Sequence, residues 1–293
     1  MILVTGCSGF VGSHLVRMLA DQLFDVRCLA RGKHGLENLP QDRVSFVEGD
    51  VTRLETLLEA MEGISTVVHL VGIIRENDNQ TFERVHIQGT QNVIDAASTL
   101  GAHRIIYQSA LGANELGVTR YFRTKWQAEE LVRNSGLEWI INRPSIIIGK
   151  RGGFVRILVD LVQSRSFIPV IGSGGYKLQP IYITDFGRAF VKMLRDSSCW
   201  GKTYEFGGPE RLDFDRMLDI TQDALGIHKR KIHLPVWLMK PIIGLMEAAL
   251  PNPPITLDEL AMLSAASATD NNALGAVFGV RPTPFGEALR LSL

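Results

Sequence analysis

The first half of the chain alternates short apolar runs with segments of helical periodicity. Apolar runs at residues 2–5, 26–30, 44–47, 66–70, 104–108 and 139–142 predict six strands. Helical spacing predicts helices over 11–20, 82–100 and 121–133, and another around the stripe Leu54, Leu57, Leu58 and Met61. Apolar strands that alternate with helices are typical of a parallel sheet covered on both faces. Because crossovers are right-handed, the pattern predicts an α/β fold with a doubly wound sheet.

The second half of the chain is less regular. Glycine-rich stretches at 149–153 and 172–175 indicate loops, and apolar runs at 181–183 and 204–206 indicate further strands. Thr184 and Asp185 are residue types that cap helices, so we expect them to begin a helix that runs to Leu194. After Gly207-Gly208-Pro209 the pattern is mostly helical and is interrupted by prolines.

These patterns divide the chain into two parts. We expect residues 1–148, with returning segments at about 177–206, to form the sheet domain. Residues 149–176 and 207–293 are expected to form a smaller, mostly helical lobe for a substrate or partner, placed over the carboxyl edge of the sheet.

The segment from Val236 to Leu250 is apolar on almost every side and is interrupted by Pro241. It is too short to span a bilayer, so we expect it to be buried in the C-terminal lobe. The alternative is an exposed lid or docking face for an apolar substrate or a membrane partner.

A glycine-rich turn, Gly6-Cys7-Ser8-Gly9-Phe10-Val11-Gly12, directly follows the first predicted strand and opens a predicted helix. Glycines permit the tight turn, the close approach of backbone to a pyrophosphate and close helix–strand packing. The helix N-terminus offers free N–H groups to the phosphates. This context predicts a Rossmann dinucleotide site, and a turn that serves only packing is the alternative. The residues expected at the cofactor are Gly6, Ser8, Gly9, Phe10, Val11 and Gly12.

The end of the second predicted strand bears on the choice of nicotinamide cofactor. The chain reads Leu29-Ala30-Arg31-Gly32-Lys33 there, with two cations and no carboxylate. An acidic residue would bind the ribose 2′-hydroxyl of NAD, whereas arginine suits the 2′-phosphate of NADP. We therefore predict NADP(H), bound by Arg31 and Lys33, and keep NAD(H) open.

Composition and charge argue against several classes of protein. Of 293 residues 45% are hydrophobic, and Lys+Arg and Asp+Glu both number 31, which gives no support for nucleic-acid binding. Cys7, Cys28 and Cys199 are too few and too scattered for a disulfide framework or a metal cage. We expect a soluble, cytoplasmic protein without a metal site, since no leader segment or membrane-spanning run is visible.

Tyr121 and Lys125 form a candidate proton-transfer pair. At i and i+4 they share one face of a predicted helix. A free tyrosine has a pKa of about 10, and a neighbouring ammonium favours the phenolate. We therefore expect Lys125 to lower the pKa of Tyr121; an ordinary surface Tyr and Lys is the alternative.

In their order along the chain, these motifs resemble those of the short-chain dehydrogenase/reductase superfamily, in its extended branch. The resemblance spans most of the chain and rests on the turn at 6–12, Gly49-Asp50-Val51, His69-Leu70-Val71-Gly72, His86-Ile87-Gln88-Gly89-Thr90, Tyr121-x-x-x-Lys125 and Arg143-Pro144 through Gly149. It implies that Tyr121 exchanges a proton with substrate oxygen while Lys125 holds the nicotinamide ribose. It also implies cofactor contacts from Asp50, Val51, Leu70, Val71, Gly72, Ser109, Tyr121, Lys125, Pro144 and Ile146.

Two positions depart from the superfamily pattern. In the loop after the fifth strand, Leu111 occupies the usual position of the catalytic serine, which leaves Ser109 as the candidate. His86 replaces an asparagine, and we expect it to serve helix packing. With Arg31 and the stretch 250–263, these departures resemble an atypical subgroup that includes the Rossmann-fold accessory subunit of respiratory complex I and its bacterial relatives.

Three functions remain open at this stage. The first is an NADP(H)-dependent oxidoreductase that acts on a carbonyl or alcohol, with a small-molecule substrate for which an apolar body stays open. The others are a nucleotide-binding structural or assembly factor with little turnover, and a nucleotide-sugar epimerase or dehydratase. A homodimer, a protein complex and a peripheral membrane contact all stay open as partners.

Overall fold

The computed structural model describes residues 1–33, 36, 39–40, 42–163, 166–250, 253–265 and 267–293. Its strands are β1 (Ile2–Thr5), β2 (Val26–Ala30), β3 (Val44–Glu48), β4 (Thr66–His69), β5 (Arg104–Gln108), β6 (Glu138–Pro144), β7 (Ile147–Ile148), β8 (Ile168–Ile171), β9 (Lys177–Leu178), β10 (Ile181–Tyr182), β11 (Lys202–Phe206), β12 (Leu212–Asp213) and β13 (Lys231–Leu234). Its α-helices are α1 (Phe10–Asp21), α2 (Leu54–Met61), α3 (Gly89–Thr99), α4 (Arg120–Arg133), α5 (Gly153–Gln163), α6 (Ile183–Arg195), α7 (Phe214–Leu225), α8 (Val236–Ala249), α9 (Leu257–Ser264), α10 (Ala273–Ala276) and α11 (Phe285–Ser292). A π-helical stretch, Glu83–Gln88, leads into α3, and a 3₁₀ turn, Ser197–Cys199, follows α6.

Seven strands form one parallel sheet in the order β11-β6-β5-β4-β1-β2-β3. The chain first moves outward from β1 to β3 and then returns to β4 on the other side of β1. The order therefore reverses between β1 and β4, and ligands of open α/β sheets bind at such a switch point. The predicted doubly wound Rossmann sheet is confirmed.

Helices cover both faces of this sheet. On one face α1 and α6 contribute the buried side chains Leu15, Leu19, Phe186 and Phe190, and on the other α2, α3 and α4 contribute Leu57, Val93, Ala97 and Val132. The face of α1 and α6 is completed by side chains from much later in the chain, Leu274, Phe278 and Val280. Residues 273–280 therefore belong to the core of the main sheet, although the sequence division assigns them to the C-terminal lobe.

A separate apolar cluster lies between α5, α7 and α11, with Leu158, Phe214 and Phe285 at its centre. Short two-stranded ladders, β7 with β10, β8 with β13 and β9 with β12, surround it. This cluster is the core of the C-terminal lobe.

The start of α6 differs from the prediction. The helix begins at Ile183 with Tyr182 as its N-cap residue, so Ile183 is not part of a strand and neither Thr184 nor Asp185 caps the helix. Asp185 instead lies buried in the first turn, where its Oδ2 accepts a hydrogen bond from the backbone N–H of Thr283 at 2.7 Å. The carboxylate is held by this distant segment, which local sequence does not reveal.

The expected burial of the segment from Val236 to Leu250 is wrong. It forms α8, and Ile243 is the buried residue of that helix. Trp237, Leu238, Ile242, Leu245 and Leu250 are exposed. The helix packs against α9, at the edge of the lobe and not within its core. Within the described ranges, no helix is both long and apolar enough to cross a membrane.

Candidate functional site

The glycine-rich turn joins β1 to α1 at the switch point of the sheet. Gly6 has a φ of +74°, and a Cβ atom there would lie 3.1 Å from the backbone of Leu70. A Cβ atom at Gly12 would collide with the carbonyl oxygen of Gly6 and lie 2.7 Å from Cα of Cys7. Gly9 is the N-cap of α1, and the first turn of the helix carries no acidic side chain. The helix N-terminus therefore keeps its positive partial charge, which suits a pyrophosphate.

A cleft of about 240 Å³ opens beside this turn. Nine of the predicted cofactor residues line it: Gly6, Ser8, Gly9, Arg31, Asp50, Val51, Leu70, Val71 and Gly72. Sequence reasoning missed the other lining residues, Leu29, Ala30, Gly49, Thr52, Ile73, Gln80 and Val85. Five of these residues adjoin predicted residues near strand ends, so the strand boundaries could have identified them. No feature of the sequence marks Gln80 or Val85 as lining residues.

The remaining predicted cofactor residues are not part of this lining: Phe10, Val11, Gly12, Lys33, Ser109, Tyr121, Lys125, Pro144 and Ile146. Gly12 allows α1 to pack closely on the turn after β1, since a Cβ atom there would collide with backbone atoms of that turn. Pro144 ends β6 beside Phe206 of β11, and the carbonyl of Ile146 accepts from the N–H of Ile181 at 2.9 Å.

At the β2 end of the cleft, the side chains of Arg31 and Lys33 differ in what they contact. Arg31 lines the cleft and is exposed, and its side chain makes no hydrogen bond or ion pair with any described residue. The ammonium of Lys33 lies 5.7 Å from the centre of the Phe46 ring, a cation–π contact with β3. Arg31 is therefore the cation that the structure presents to a ligand at this end.

Asp50 is the carboxylate that lines the cleft. Its Oδ1 accepts hydrogen bonds from the backbone N–H and the hydroxyl of Thr52, both at 2.9 Å. These two bonds fix the carboxylate at the start of the turn into α2. Asp50 is thus held in place for a polar ligand group.

Tyr121 lies among aromatic rings in the first turn of α4. Its ring contacts those of Phe82, His86 and Phe122 at centroid distances of 5.9, 5.5 and 5.3 Å. Burial raises the pKa of Tyr121 to about 12, because the phenolate loses hydration. The expectation that Lys125 lowers this pKa is wrong for this form of the protein.

Lys125 is buried one turn further along α4. Its Nζ donates to the carbonyl oxygen of Gln108 at 2.5 Å and lies 4.3 Å from the centre of the Tyr107 ring. A Cβ atom at Gly72 would lie 3.7 Å from this Nζ, so Lys125 stands directly behind the cleft wall. Burial lowers the pKa of Lys125 to about 7, and Glu129 opposes that shift.

His86 occupies the position where the superfamily has asparagine. Its Nδ1 lies 2.9 Å from the Thr124 hydroxyl, and its Nε2 lies 3.1 Å from the backbone of Ile73. Burial, and secondly the charge of Lys125, lower the pKa of His86 to about 2, so the ring stays neutral. The histidine joins the π-helical stretch to α4 and to the loop after β4, which is the expected packing role.

The structure does not bring Ser109 to the cleft. Its Oγ is buried and has no hydrogen-bond partner among the described residues. Its backbone N–H donates to the carbonyl of Asn142 at 2.7 Å, which continues the pairing of β5 with β6. Leu111 is buried as well. The catalytic role of Ser109 stays a prediction.

An ion-pair network holds α4 against the sheet. The buried Glu129 accepts two hydrogen bonds from Arg143 of β6, at 2.8 and 2.6 Å, and one from Arg133 at 2.7 Å. Two parallel bonds from one guanidinium fix orientation as well as distance. Because Glu129 follows Lys125 by one helical turn, the network also fixes the position of Lys125.

The strand order, the glycine-rich turn and the cleft define a Rossmann-type dinucleotide-binding protein. A family model described as NAD(P)H-binding matches residues 6–166, and the chain belongs to this family. Subunit 9 of the NADH dehydrogenase [ubiquinone] 1 alpha subcomplex from mitochondria of Arabidopsis thaliana is 30% identical over 289 residues, which cover 92% of this chain and 71% of that protein. A ceramide reductase from Caulobacter vibrioides is 29% identical over 196 residues, which cover 67% of this chain and 61% of that protein.

Solved structures of the extended branch share the fold. UDP-glucose 4-epimerase from Thermus thermophilus, in complex with NAD, superimposes with a TM-score of 0.76 at 22% identity, covering 99% of this chain and 97% of that one. The predicted resemblance to the extended short-chain dehydrogenases, and within them to the complex I subunit, is confirmed. In the part of the chain that the structure describes, no group of three or more His, Cys, Asp or Glu residues could hold a metal ion.

Proposed function

We propose that this protein binds NADP(H) and uses it to reduce a carbonyl substrate, with Tyr121 and Lys125 as the proton-transfer pair. The observation that carries the proposal is the layout of the cleft: the glycine-rich turn and Arg31 lie on its wall, and Lys125 stands behind Gly72 on the same wall.

The preference for NADP(H) rests on Arg31. A guanidinium that no described residue neutralises, at the end of β2, fits a 2′-phosphate by charge and by its planar fork. A charge-assisted hydrogen bond contributes about 1.5–3 kcal/mol, so its loss weakens binding about 10- to 150-fold.

The protonation state of Tyr121 supports a proton-donor role, which reduction of a carbonyl requires. The bound cofactor supplies or accepts the hydride. A phenol with a pKa of about 12 is protonated near neutral pH, so it donates a proton to a developing alkoxide more readily than it removes one from an alcohol. Lys125, one turn further along α4 and with a pKa of about 7, can take up or release a proton near neutral pH.

The similarity to a ceramide reductase supports reduction and an apolar substrate. The rings of Phe82 and Phe122 are themselves buried and pack against Tyr121, so the surroundings of this tyrosine are apolar. We therefore propose a carbonyl compound with an apolar body as the substrate class.

Calorimetric titration with NADPH and NADH tests the cofactor. We expect NADPH to bind more tightly, the preference to disappear in Arg31→Ala, and the matched control Lys33→Ala to keep it. Equal binding of both cofactors by the wild-type protein would contradict the role of Arg31.

Turnover tests the chemistry. With a panel of apolar carbonyl compounds and NADPH absorbance as the signal, Tyr121→Phe should lose turnover and keep cofactor affinity. The control Tyr176→Phe removes a hydroxyl from a tyrosine that stacks on Phe214 in the C-terminal lobe, and it should stay active. Equal activity of Tyr121→Phe and wild type would refute the proton-transfer role.

A second candidate is a nucleotide-binding structural or assembly factor. It is favoured by Leu111 at the usual serine position, by the buried Ser109 hydroxyl and by the similarity to a respiratory complex subunit. In that case NADPH binds, no carbonyl compound is turned over, and Tyr121→Phe behaves as wild type in every assay. The cytoplasmic location, the homodimer and the sugar-nucleotide chemistry stay predictions.

A further inference from the structure

Helix α8 directs an apolar face toward solvent. With 100° between successive residues, one side of the helix is formed by exposed positions that carry no charge: Trp237, Leu238, Pro241, Ile242, Leu245, Ala248 and Ala249. Trp237 is 76% and Leu245 71% exposed, whereas Ile243 on the opposite side is 1% exposed.

The charged residues of α8 lie away from this face. Lys240 and Glu247 fall on the same flank, and the Oε1 of Glu247 accepts from the backbone N–H of Leu257 at 3.0 Å. A surface helix normally buries its apolar stripe and exposes its polar one. In α8 the covered side is apolar, at Ile243, and the exposed side is apolar as well, which marks an interaction surface.

The segment that leads into α8 is basic. Residues 228–240 contain six His, Lys or Arg side chains and no acidic one. Lys231 and His233 are paired with Asp215. The side chains of Arg230 and Lys240 are exposed and form no ion pair or hydrogen bond with any described residue. Two unneutralised cations therefore remain in this segment: Lys240 on a flank of α8, and Arg230 before β13, which leads into the helix.

We propose that α8, together with the basic residues before it, docks the protein on an anionic lipid surface, with the helix lying in the plane of the headgroups. A helix with exposed Trp and Leu and nearby Lys and Arg has the chemistry that interfacial helices use. The cations meet the negative surface potential of anionic lipids.

The charges argue against a second copy of the chain as the occupant of this face. A two-fold contact sets the patch against an identical patch, so the excess positive charge of Arg230 and Lys240 over Glu247 on one copy meets the same excess on the other. Anionic headgroups neutralise these cations instead.

The docking face is joined to the cofactor cleft. Arg75, in the loop after β4, donates to the carbonyl of Pro253 at 2.8 Å and pairs with Glu259 of α9 at 2.6 Å. Helix α9 packs against α8, and Ile73 of the same loop lines the cleft. The proposal concerns binding alone and does not depend on turnover.

Vesicle flotation with the full chain tests it. We expect the protein to float with vesicles of phosphatidylcholine and phosphatidylserine in equal parts, and only weakly with phosphatidylcholine alone. The double variant Trp237→Glu, Leu245→Glu should stay with unbound protein, whereas the control Leu291→Glu, at a position 55% exposed on α11, should float as wild type does. Lys240→Glu should weaken binding to the mixed vesicles.

A second measurement does not depend on a disruptive variant. Brominated lipids should quench part of the tryptophan emission of the wild type, and this part should be missing in Trp237→Phe. Failure to float with the mixed vesicles overturns the proposal, as does flotation of the double variant. Dimers in light scattering that Leu245→Glu converts to monomers would assign the face to a second copy and also overturn it. Equal binding to neutral and anionic vesicles would refute the role of the cations.

Discussion

The contact between Gly12 and the turn before it predicts the effect of a single methyl group. In Gly12→Ala the new Cβ would collide with the carbonyl oxygen of Gly6 and lie 2.7 Å from Cα of Cys7, against an ordinary contact of about 3.5 Å. Both neighbours are backbone, so the helix must move away from β1 or the turn must open. Overpacking of this kind costs about 1–3 kcal/mol. For a chain of this size, that cost lowers Tm by about 2–12 °C.

Cofactor affinity should fall together with stability, because the displaced atoms belong to the turn that we propose as the pyrophosphate site. The assay is thermal unfolding with and without NADPH, paired with calorimetry. The matched control is Gly153→Ala at the start of α5, where an added Cβ atom meets nothing within 4 Å. It should keep both Tm and affinity. A Gly12→Ala protein with unchanged Tm and NADPH affinity would refute the packing argument.

Two further predictions concern α4. Burial lowers the pKa of Lys125 from 10.5 to about 7, so between these values the unfolded chain binds more protons there than the folded protein, and stability rises with pH. The Tm of the wild type relative to Lys125→Met should therefore increase from pH 7 toward 10.5; a pH-independent difference would contradict this. Glu129→Gln removes the buried carboxylate that accepts two hydrogen bonds from Arg143, leaving only Glu205 at 3.9 Å, and should lower the free energy of unfolding in urea by about 3–5 kcal/mol. The exposed pair of Glu138 with Arg104 is the comparison, and Glu138→Gln should cost at most about 1 kcal/mol; equal losses would refute the role of burial.

The main sheet was predictable because its signals are local. Each strand of the first half is an apolar run bounded by turn residues, and the glycine-rich turn marks the first β–α junction. The cleft-lining residues at strand ends follow from the same boundaries. The start of α6 was not predictable, since Asp185 is fixed by the N–H of Thr283, nearly a hundred residues later.

The exposure of α8 and the pKa of Tyr121 could not be predicted from the sequence. The apolar composition of Val236 to Leu250 suggests a core helix, but composition does not say whether another element covers it. The pKa of Tyr121 is raised by its burial, which the sequence does not reveal. Helical spacing placed Lys125 on the same face, yet the hydrogen bond of its Nζ to Gln108 and the rings around Tyr121 are set by tertiary structure.

The contribution of residues 273–280 to the main core has a consequence for biosynthesis. The strands and the turn at the amino end emerge from the ribosome first, but Leu274, Phe278 and Val280 complete the layer over α1 and α6. Until these residues have been synthesised, the apolar side chains of α1 and α6 that they cover remain exposed to solvent. Folding of the amino-terminal half during translation therefore cannot finish before the carboxyl-terminal part has been made, and a nascent chain in this interval exposes a surface that chaperones bind.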